Sequence, residues 1–306
     1  MAKILIATEK PFAAQAVNGI REVVKAAGME LVLLEKYTEK SQLVETVRDM
    51  DAMIVRSDKI DAEVLDAAKH LKIVVRAGAG YDNVDLRTAS EQGVCVMNTP
   101  GQNSNAVAEL VFGLLISGMR NFYNGTASLE LRGKKLGILA YGNVGRNVAR
   151  IAKGFGMDIS AYDAYCPVSS IEQDGVRPVD SAADLFKTCQ IVSLHIPATI
   201  ETKGSINYKL MHTMPQGAVL INTARKEVMD EASILQMMSN RPDFKYLTDV
   251  KPDIDAELSE DYVGRYFSTP KKMGAQTKEA NINAGIAAAR QIVDFLMNGN
   301  EKYRVN

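Results

Sequence analysis

The segment from Lys135 to Asp163 constrains the fold of this chain more than any other. Its sequence, KLGILAYGNVGRNVARIAKGFGMDISAYD, joins an apolar strand to a glycine turn, an amphipathic helix and a second strand. We predict the first strand at 136–141 and the helix at 144–155. A strand, a tight turn and a helix in this order form half of a βαβ unit, so the segment predicts a parallel sheet.

The glycines of this turn point to a pyrophosphate ligand. Gly142 lets the backbone approach a pyrophosphate, and Gly145 lets the helix pack closely on the strand. The N-terminus of the following helix offers free N–H groups to phosphates. Asp163 ends the second strand, where a carboxylate binds ribose hydroxyls, and no arginine follows it closely. A 2′-phosphate would therefore be repelled, and the segment predicts NAD rather than NADP.

One position departs from the G-x-G-x-x-G pattern, because Ala140 stands where the first glycine is expected. The remaining G-x-x-G also occurs at tight strand-to-helix turns in α/β proteins that bind no nucleotide. Both interpretations remain open for the segment alone, and the rest of the chain favours a nucleotide site.

Length and composition limit the class of protein. A chain of 306 residues is long enough for two domains with separate cores. The net charge of −1 argues against nucleic acid or a membrane surface as the main partner. Three scattered cysteines suggest neither disulfides nor a metal site, and no run approaches the roughly 18 apolar residues of a membrane span. We expect a cytoplasmic protein, since charge comes too early in MAKILIATEK for a signal peptide.

The first hundred residues alternate short apolar runs with amphipathic stretches, which predicts a second parallel sheet with helices on both faces. Strands are expected at 4–7, 31–34, 52–55, 73–75 and 94–97, and helices around 12–26, 41–48, 61–69 and 85–92. Arg56 and Arg76 each follow a strand, and Gly78 and Gly80 come soon after Arg76. Arginines at strand ends are often only solvated charges. Two at the same rim, one beside glycines, favour an anion site.

A domain boundary is expected near residue 99, where Pro100 and Gly101 interrupt the chain before a helix capped by Asn103, Ser104 or Asn105. Later strands are predicted at 191–196, 218–222, 246–250 and 266–268, which gives a six-stranded nucleotide domain. The last helix is predicted at 280–297.

Several motifs follow one another in an order that resembles a known family. They are VRAGAGYDNVD, NTPGQNSNAVAEL, ELRGKKLGILAYGNVG, VSLHIPATIETKGSIN, GAVLINTARKEVMDE and GAQTKEAN. The chain resembles the D-isomer-specific 2-hydroxyacid dehydrogenases, most closely the branch that acts on 3-phosphoglycerate. The resemblance implies an α/β fold with two doubly wound parallel-sheet domains. These are a Rossmann NAD-binding domain at 99–279 and a discontinuous, flavodoxin-like substrate domain at 1–98 and 280–306. It also implies a homodimer and a small 2-hydroxyacid substrate, which we expect to be phosphorylated.

The resemblance also assigns site residues. Arg225 matches the arginine that binds the substrate carboxylate, and Asp249 matches the carboxylate that holds the nicotinamide amide. His195 matches a histidine near the cofactor, although packing of a strand end is the favoured interpretation. The substrate-binding positions are Arg56, Ser57, Arg76, Ala77, Gly78 and Asn103. The cofactor-binding positions are Gly142, Asn143, Val144, Gly145, Asp163, His195, Thr223, Ala224, Asp249 and Gly274.

The catalytic pair departs from the family pattern. The family has a glutamate shortly after the D-V pair and a histidine in a later T-P-H-x-G segment. Here KPDIDAEL places Ile254 at the glutamate position, between two aspartates, and TPKKMG carries lysines and one extra residue. Counting back from Gly274 makes Lys272 the replacement, whereas counting forward from Pro270 makes it Lys271. We prefer Lys272, because the glycine leads into the helix that fixes the site.

Two hypotheses follow. Either the site has decayed into an NAD-binding sensor or scaffold, or lysine performs the work of the histidine. A carboxylate beside a lysine would raise its pKa above about 10.4, so losing the glutamate while gaining the lysine is coherent chemistry. Arg225 and the second lysine are expected to lower that pKa. Retention of Arg225, Asp163 and Asp249 favours the enzyme.

Overall fold

A computed structural model describes residues 1–306. The chain forms two compact units, Met1–Asn103 with Gln276–Asn306, and Ser104–Ala275. We call the first the five-stranded domain and the second the seven-stranded domain, after their sheets. The boundaries predicted from sequence lay at 98/99 and 279/280.

Twelve strands and twelve α-helices make up the two domains. The strands are β1 (Lys3–Thr8), β2 (Glu30–Glu35), β3 (Ala52–Val55), β4 (Ile73–Arg76), β5 (Cys95–Asn98), β6 (Lys135–Leu139), β7 (Asp158–Tyr162), β8 (Arg177–Pro178), β9 (Ile191–Leu194), β10 (Val219–Asn222), β11 (Lys245–Thr248) and β12 (Tyr266–Ser268). The helices are α1 (Ala14–Ala26), α2 (Lys40–Thr46), α3 (Ala62–Ala67), α4 (Leu86–Glu91), α5 (Ser104–Met119), α6 (Asn143–Gly154), α7 (Val168–Gln173), α8 (Ala182–Thr188), α9 (Tyr208–Met211), α10 (Glu231–Asn240), α11 (Asp255–Asp261) and α12 (Lys278–Asn298).

The five-stranded sheet is parallel throughout, in the order β2-β1-β3-β4-β5. Side chains alternate between two cores, since Ile4 and Ile6 of β1 pack in one cluster and Leu5 and Ala7 in the other. Both faces are therefore covered, and the strands read as continuous apolar runs. This order is the flavodoxin-like one, and the predicted fold class is confirmed for this domain.

The C-terminal helix α12 completes the core of the five-stranded domain by packing on α1. Two glycines permit the close approach. A Cβ on Gly19 would lie 2.6 Å from Ile286 Cδ1, and one on Gly285 would lie 3.2 Å from both Phe12 and Ile20. The C-terminal segment therefore belongs to the same domain as the N-terminal residues.

The seven-stranded sheet is also parallel, in the order β8-β7-β6-β9-β10-β11-β12. The order reverses between β6 and β9, as in a Rossmann domain, so the predicted architecture is confirmed. The prediction of six strands is wrong. The additional strand, β8, has two residues and contains a proline, and hydrophobic periodicity cannot detect a strand this short.

None of the helices is long and apolar enough to cross a membrane. The side chains of His, Cys, Asp and Glu form no cluster suited to a metal ion. The cysteines are all free: Cys95 and Cys189 are buried, and Cys166 is partly exposed.

Candidate cofactor and active site

The carboxyl edge of the seven-stranded sheet collects most of the predicted site residues. Ala140 follows β6, Asp163 follows β7, His195 follows β9, Thr223 follows β10 and Asp249 follows β11. In an open α/β sheet, ligands bind beyond this edge, at the point where the strand order reverses. Here that point lies between Ala140 and His195, and the His195 N–H donates to the carbonyl of Leu139 at 2.9 Å.

The glycine turn has the geometry that a phosphate-binding turn needs. Helix α6 begins after Gly142, and no side chain caps its first turn. A Cβ on Gly145 would lie 2.4 Å from the carbonyl oxygen of Ala140, so only glycine fits there. Ala140 itself has φ 75°, the left-handed conformation that glycine adopts freely and alanine only with strain. The alanine therefore retains the backbone path of the glycine it replaces.

Asp163 holds the ends of two loops together. Its Oδ2 accepts from the N–H of Tyr141 at 2.6 Å, and its Oδ1 accepts from the N–H groups of Tyr165 and Cys166 at 2.8 and 2.9 Å. The carboxylate is only partly buried and faces a cavity, so it remains accessible to a ligand hydroxyl.

A cavity of about 330 Å³ opens beside Asp163, within the seven-stranded domain. Its wall is mainly apolar and comes from both sides of the strand-order reversal. Leu139 and Ala140 line it from the glycine turn, and Ile196 and Pro197 line it from the segment after β9. An apolar wall with one carboxylate at its rim suits a nucleoside, whose base is apolar on its faces and whose sugar carries hydroxyls.

His195 lies beside the turn and is partly exposed. Its Nε2 lies 3.0 Å from Ser193 Oγ. Burial lowers the pKa of the imidazole to about 3, so the ring is neutral at physiological pH. A histidine with this pKa is unsuited to proton transfer near neutral pH.

The segment after β10 presents a cation next to an unpaired hydroxyl. The Oγ1 of Thr223 is buried and has no hydrogen-bond partner within the protein. Ala224 is buried, whereas the side chain of Arg225 is exposed and donates from Nη1 to the Ala224 carbonyl at 2.9 Å. A buried hydroxyl without a partner is rare, and a bound ligand would satisfy it.

Asp249 is buried, with 1% exposure, and its carboxylate organises the lysine segment, which we define as Thr269–Gly274. Its Oδ1 accepts from Thr269 Oγ1 and from the N–H of Met273, both at 2.7 Å. Its Oδ2 accepts from the N–H of Gly274 at 2.8 Å. The side chains of Lys271 and Lys272 are exposed between these contacts.

The aspartates flanking the expected glutamate position have other partners. Asp253 pairs with Lys226 at 2.5 Å. Asp255 pairs with Lys251 at 2.7 Å and accepts from Tyr266 Oη at 2.7 Å. Ile254, at the glutamate position itself, packs against the apolar core. A partly buried apolar side chain thus lies where the sequence pattern predicts the glutamate.

The predicted substrate-binding residues lie in the five-stranded domain. Arg56, after β3, donates from Nη1 to the carbonyls of Lys10 and Pro11 and from Nη2 to Asn281 Oδ1 at 2.8 Å. Its guanidinium also lies over the ring of Phe12, 5.2 Å from the centroid. These contacts are neutral, and burial lowers the pKa of this guanidinium. Attraction from Asp58 opposes this shift, and the guanidinium forms no salt bridge, so neutral groups orient it.

Arg76 lies beside Arg56, since β3 and β4 are neighbours. Its Nε donates to the Arg56 carbonyl at 2.9 Å. Burial lowers the pKa of Arg76, attraction from Asp82 opposes this shift, and repulsion from Arg56 adds to it. Gly78 has φ 149°, and a Cβ there would lie 1.6 Å from Arg76 Nη1, so the arginine requires this glycine. Of the other predicted residues in this domain, Ser57 is exposed and Ala77 and Asn103 are partly exposed.

Comparisons with known proteins identify the family. The model of the D-isomer-specific 2-hydroxyacid dehydrogenase NAD-binding domain matches residues 117–261. A solved structure, NAD⁺-bound 3-phosphoglycerate dehydrogenase of Entamoeba histolytica, is 47% identical with a TM-score of 0.85, covering 100% of this chain and 98% of its own. A hydroxypyruvate reductase of Thermotoga maritima is 34% identical over 284 residues, covering 86% of this chain and 90% of the relative. The chain belongs to the D-isomer-specific 2-hydroxyacid dehydrogenase family.

Other members of the family are longer. The D-3-phosphoglycerate dehydrogenase of Methanocaldococcus jannaschii is 35% identical over 274 residues, which cover 84% of this chain and 52% of that protein. The chain therefore spans about half the length of this dehydrogenase. A glyoxylate reductase of Thermococcus litoralis is 34% identical over 242 residues. The family is thus clear, while its members differ in substrate.

The residues fit the cofactor of the family, which is NAD. The uncapped start of α6 suits the pyrophosphate, the cavity with Asp163 suits the adenosine, and the unpaired hydroxyl of Thr223 faces no protein partner. Gly142 immediately precedes α6, and Asn143 and Val144 are its first two residues.

Two residues were missed as contributors to the site. Thr269 and Asn281 occur in the motifs TPKKMG and TKEAN, but neither was assigned a role from sequence. Their function is to hold Asp249 and Arg56 respectively, and a hydrogen bond between distant segments leaves no local pattern. The only available signal was their place in segments that resemble the family.

Proposed function

We propose that this chain oxidises 3-phospho-D-glycerate to 3-phosphohydroxypyruvate with NAD, a reaction that leads to serine. The observation that carries the proposal is the pair of oriented, desolvated arginines in the five-stranded domain. The side chains of Arg56 and Arg76 donate hydrogen bonds only to neutral groups. Asp58 and Asp82 attract them without forming a salt bridge, so both guanidinium groups can still bind an anion such as a phosphate.

The proposed chemistry uses residues of the seven-stranded domain. Bound NAD supplies the nicotinamide that accepts hydride from C2 of the substrate. Lys272, as a neutral amine, accepts the proton of the 2-hydroxyl while the C2–O bond becomes a carbonyl. Arg225 binds the carboxylate and, with the protonated lysine, stabilises negative charge on the oxygen. In the reductive direction the same lysine returns its proton.

Reduction of an unphosphorylated 2-oxoacid is the second candidate. It is favoured by the similarity to a hydroxypyruvate reductase over 90% of the length of that protein. The two candidates share cofactor and chemistry, and they differ in whether Arg56 and Arg76 bind a phosphate. A catalytically silent NAD-binding scaffold is the third possibility, raised by the absence of the family histidine.

The test is a panel of 2-oxoacids with NADH: phosphohydroxypyruvate, hydroxypyruvate and glyoxylate. We expect phosphohydroxypyruvate to give the highest kcat/KM. Arg56→Gln should reduce that value about 10–100-fold while changing the hydroxypyruvate value little, because it removes a charge-assisted bond to the phosphate alone. Equal kcat/KM for both substrates in the wild type would favour the second candidate. Binding of NADH without turnover of any substrate would favour the scaffold.

Arg225→Ala provides a second test within the panel. Losing the carboxylate-binding cation should reduce kcat/KM for all three oxoacids, because each carries the same carboxylate. Lys226→Ala is the matched control, because Lys226 is the cation next to Arg225 in sequence and pairs with Asp253. We propose in addition that the enzyme is a homodimer, which light scattering would test.

A further inference from the structure

Both ends of the lysine segment are bound to one buried carboxylate. Thr269 donates its hydroxyl to Asp249, and at the other end Met273 and Gly274 donate their backbone N–H groups to it. The residues between these ends are Pro270, Lys271 and Lys272. The carboxylate thus closes a short loop, and the two lysines lie on the closed part.

The backbone itself is shaped for this contact. Thr269 N donates to the Thr248 carbonyl at 3.0 Å, which fixes the start of the loop to the strand that precedes Asp249. At the other end, a Cβ on Gly274 would lie 3.0 Å from Asp249 Oδ2 and 3.2 Å from Val107 Cγ2. Glycine therefore lets the chain approach the carboxylate without displacing the Asp249 or Val107 side chain.

The closed loop bears on the extra residue in this segment. The family pattern T-P-H-x-G has one residue fewer between threonine and glycine than TPKKMG has here. With both ends fixed on Asp249, the additional residue must be accommodated between them. The clamp therefore limits the positions that the backbone of Lys271 and Lys272 can take.

We propose that Asp249 is a positioning residue, which acts by clamping the lysine segment so that Lys272 meets the substrate, in addition to any contact with the nicotinamide. A carboxylate offers about four acceptor positions, and three are used by the loop. The inference rests on the proposed function, since it assigns the catalytic proton transfer to this segment.

Asp249→Asn is the direct test. The side-chain amide would turn an NH₂ group toward at least one backbone N–H, so the clamp opens. We expect hydrogen exchange of the 269–275 peptide to accelerate and kcat to fall about 10²-fold, the typical result of displacing a catalytic group by an ångström.

A substitution at Thr269 tests the clamp independently of cofactor binding, because Thr269 belongs to the loop and contacts Asp249 through its hydroxyl. Thr269→Val should reduce kcat roughly tenfold and leave the Kd for NADH unchanged, and Thr269→Ser should restore the rate. Thr213→Val, at an exposed position whose hydroxyl bonds only the Leu210 carbonyl, is the matched control.

Two results would overturn the inference. One is a wild-type exchange rate for the 269–275 peptide in both Asp249→Asn and Thr269→Val. The other is a raised Kd for NADH in Asp249→Asn with kcat at saturating NADH unchanged. If the wild type turns over no 2-oxoacid, the proposed function fails, and faster exchange in Asp249→Asn would still support the clamp.

Discussion

The glycine turn after β6 and the lysine segment after β12 are built by the same device and put to different use. In each, a carboxylate at a strand end accepts backbone N–H groups from a loop. Asp163 is partly exposed at a cavity, whereas Asp249 is buried. The first carboxylate is open to a ligand, and the second is mainly occupied by the protein.

The two regions also differ in how they depart from the family pattern. The glycine turn changes one residue and retains the backbone path, because Ala140 accepts the φ of a glycine. The lysine segment changes both length and chemistry, and in this chain both of its ends are bound to Asp249. The first departure leaves the backbone geometry suited to a phosphate, whereas the second changes the side chains that would carry the chemistry.

The largest effect is expected in the lysine segment. Lys272→Ala should reduce kcat about 10²–10⁴-fold, the usual contribution of a positioned acid–base group, with little change in the Kd for NADH. Wild-type oxidation of hydroxyacid should rise with pH through an apparent pKa above that of a histidine, because it requires the neutral amine. Steady-state rates and NADH fluorescence titration measure both.

Lys271→Ala is the matched control for this change and should be mild. A severe defect there beside a healthy Lys272→Ala enzyme would assign the proton transfer to Lys271. Near-normal rates in both variants would place the acid–base group outside this segment.

Substitutions at the glycine turn should change the affinity for NAD rather than kcat. Asp163→Ser should weaken NAD binding about 10–100-fold, because a bond from a ribose hydroxyl to a charged acceptor is lost. Discrimination against NADP should relax, since the negative charge that opposes a 2′-phosphate is gone. Asp163→Asn removes the charge but also turns its NH₂ group toward the N–H of Tyr141 or toward those of Tyr165 and Cys166, so we expect a comparable loss of NAD binding. Equal activity of the wild type with NAD and NADP would contradict this role.

His195, which lies between the two regions in sequence, should make the folding stability of the protein fall at acid pH. Its pKa is about 3 in the folded state, below the ordinary value of about 6.5, so the unfolded chain binds the proton more readily. Stability from this group is complete above pH 6.5 and declines as the pH falls toward 3. From pH 7 to 5.5 the wild type should lose about 1 kcal/mol more than His195→Asn. Urea unfolding at both pH values measures the difference, and parallel losses in the two proteins would show that the ring is not desolvated.

The smallest effect is expected at Ala140. Ala140→Gly should relieve left-handed strain of about 1–2 kcal/mol but increase the entropy of the unfolded chain by about 0.4–1 kcal/mol. The net gain of up to about 1 kcal/mol corresponds to a Tm increase of roughly 2–4 °C or less. Gly145→Ala is the opposite control and should lower Tm, because its methyl would meet the Ala140 carbonyl oxygen at 2.4 Å. A lower Tm in Ala140→Gly would show that the alanine methyl contributes packing.

The strands were accessible from sequence because buried parallel strands are apolar runs bounded by turns. β3 and β12 occur at the predicted residues, and most others differ only at their ends. Among the helices after Asp163, only the last was located from sequence, at 280–297 against Lys278–Asn298 in the structure. α9 has four residues and α7 has six, too few turns to establish helical spacing.

The site was predictable only as far as local motifs reach. The strand-end positions of Asp163, Arg225 and Arg56 follow from sequence, because a parallel sheet brings its carboxyl ends to one edge. The clamp on Asp249 does not follow, since it joins residues twenty or more positions apart through side-chain hydrogen bonds. Likewise, the φ of Ala140 is set by the packing of Gly145 on Ala140 and Ile138 rather than by its own preference.

The unequal exposure of the three cysteines has a practical consequence. Burial raises the pKa of the Cys95 thiol to about 11 and also raises that of Cys189, so neither reacts readily with alkylating reagents. Cys166 is partly exposed, and its N–H bonds the carboxylate that borders the cavity. A maleimide fluorophore should therefore label each folded chain once, at the rim of the adenosine cavity, and report cofactor occupancy through its emission.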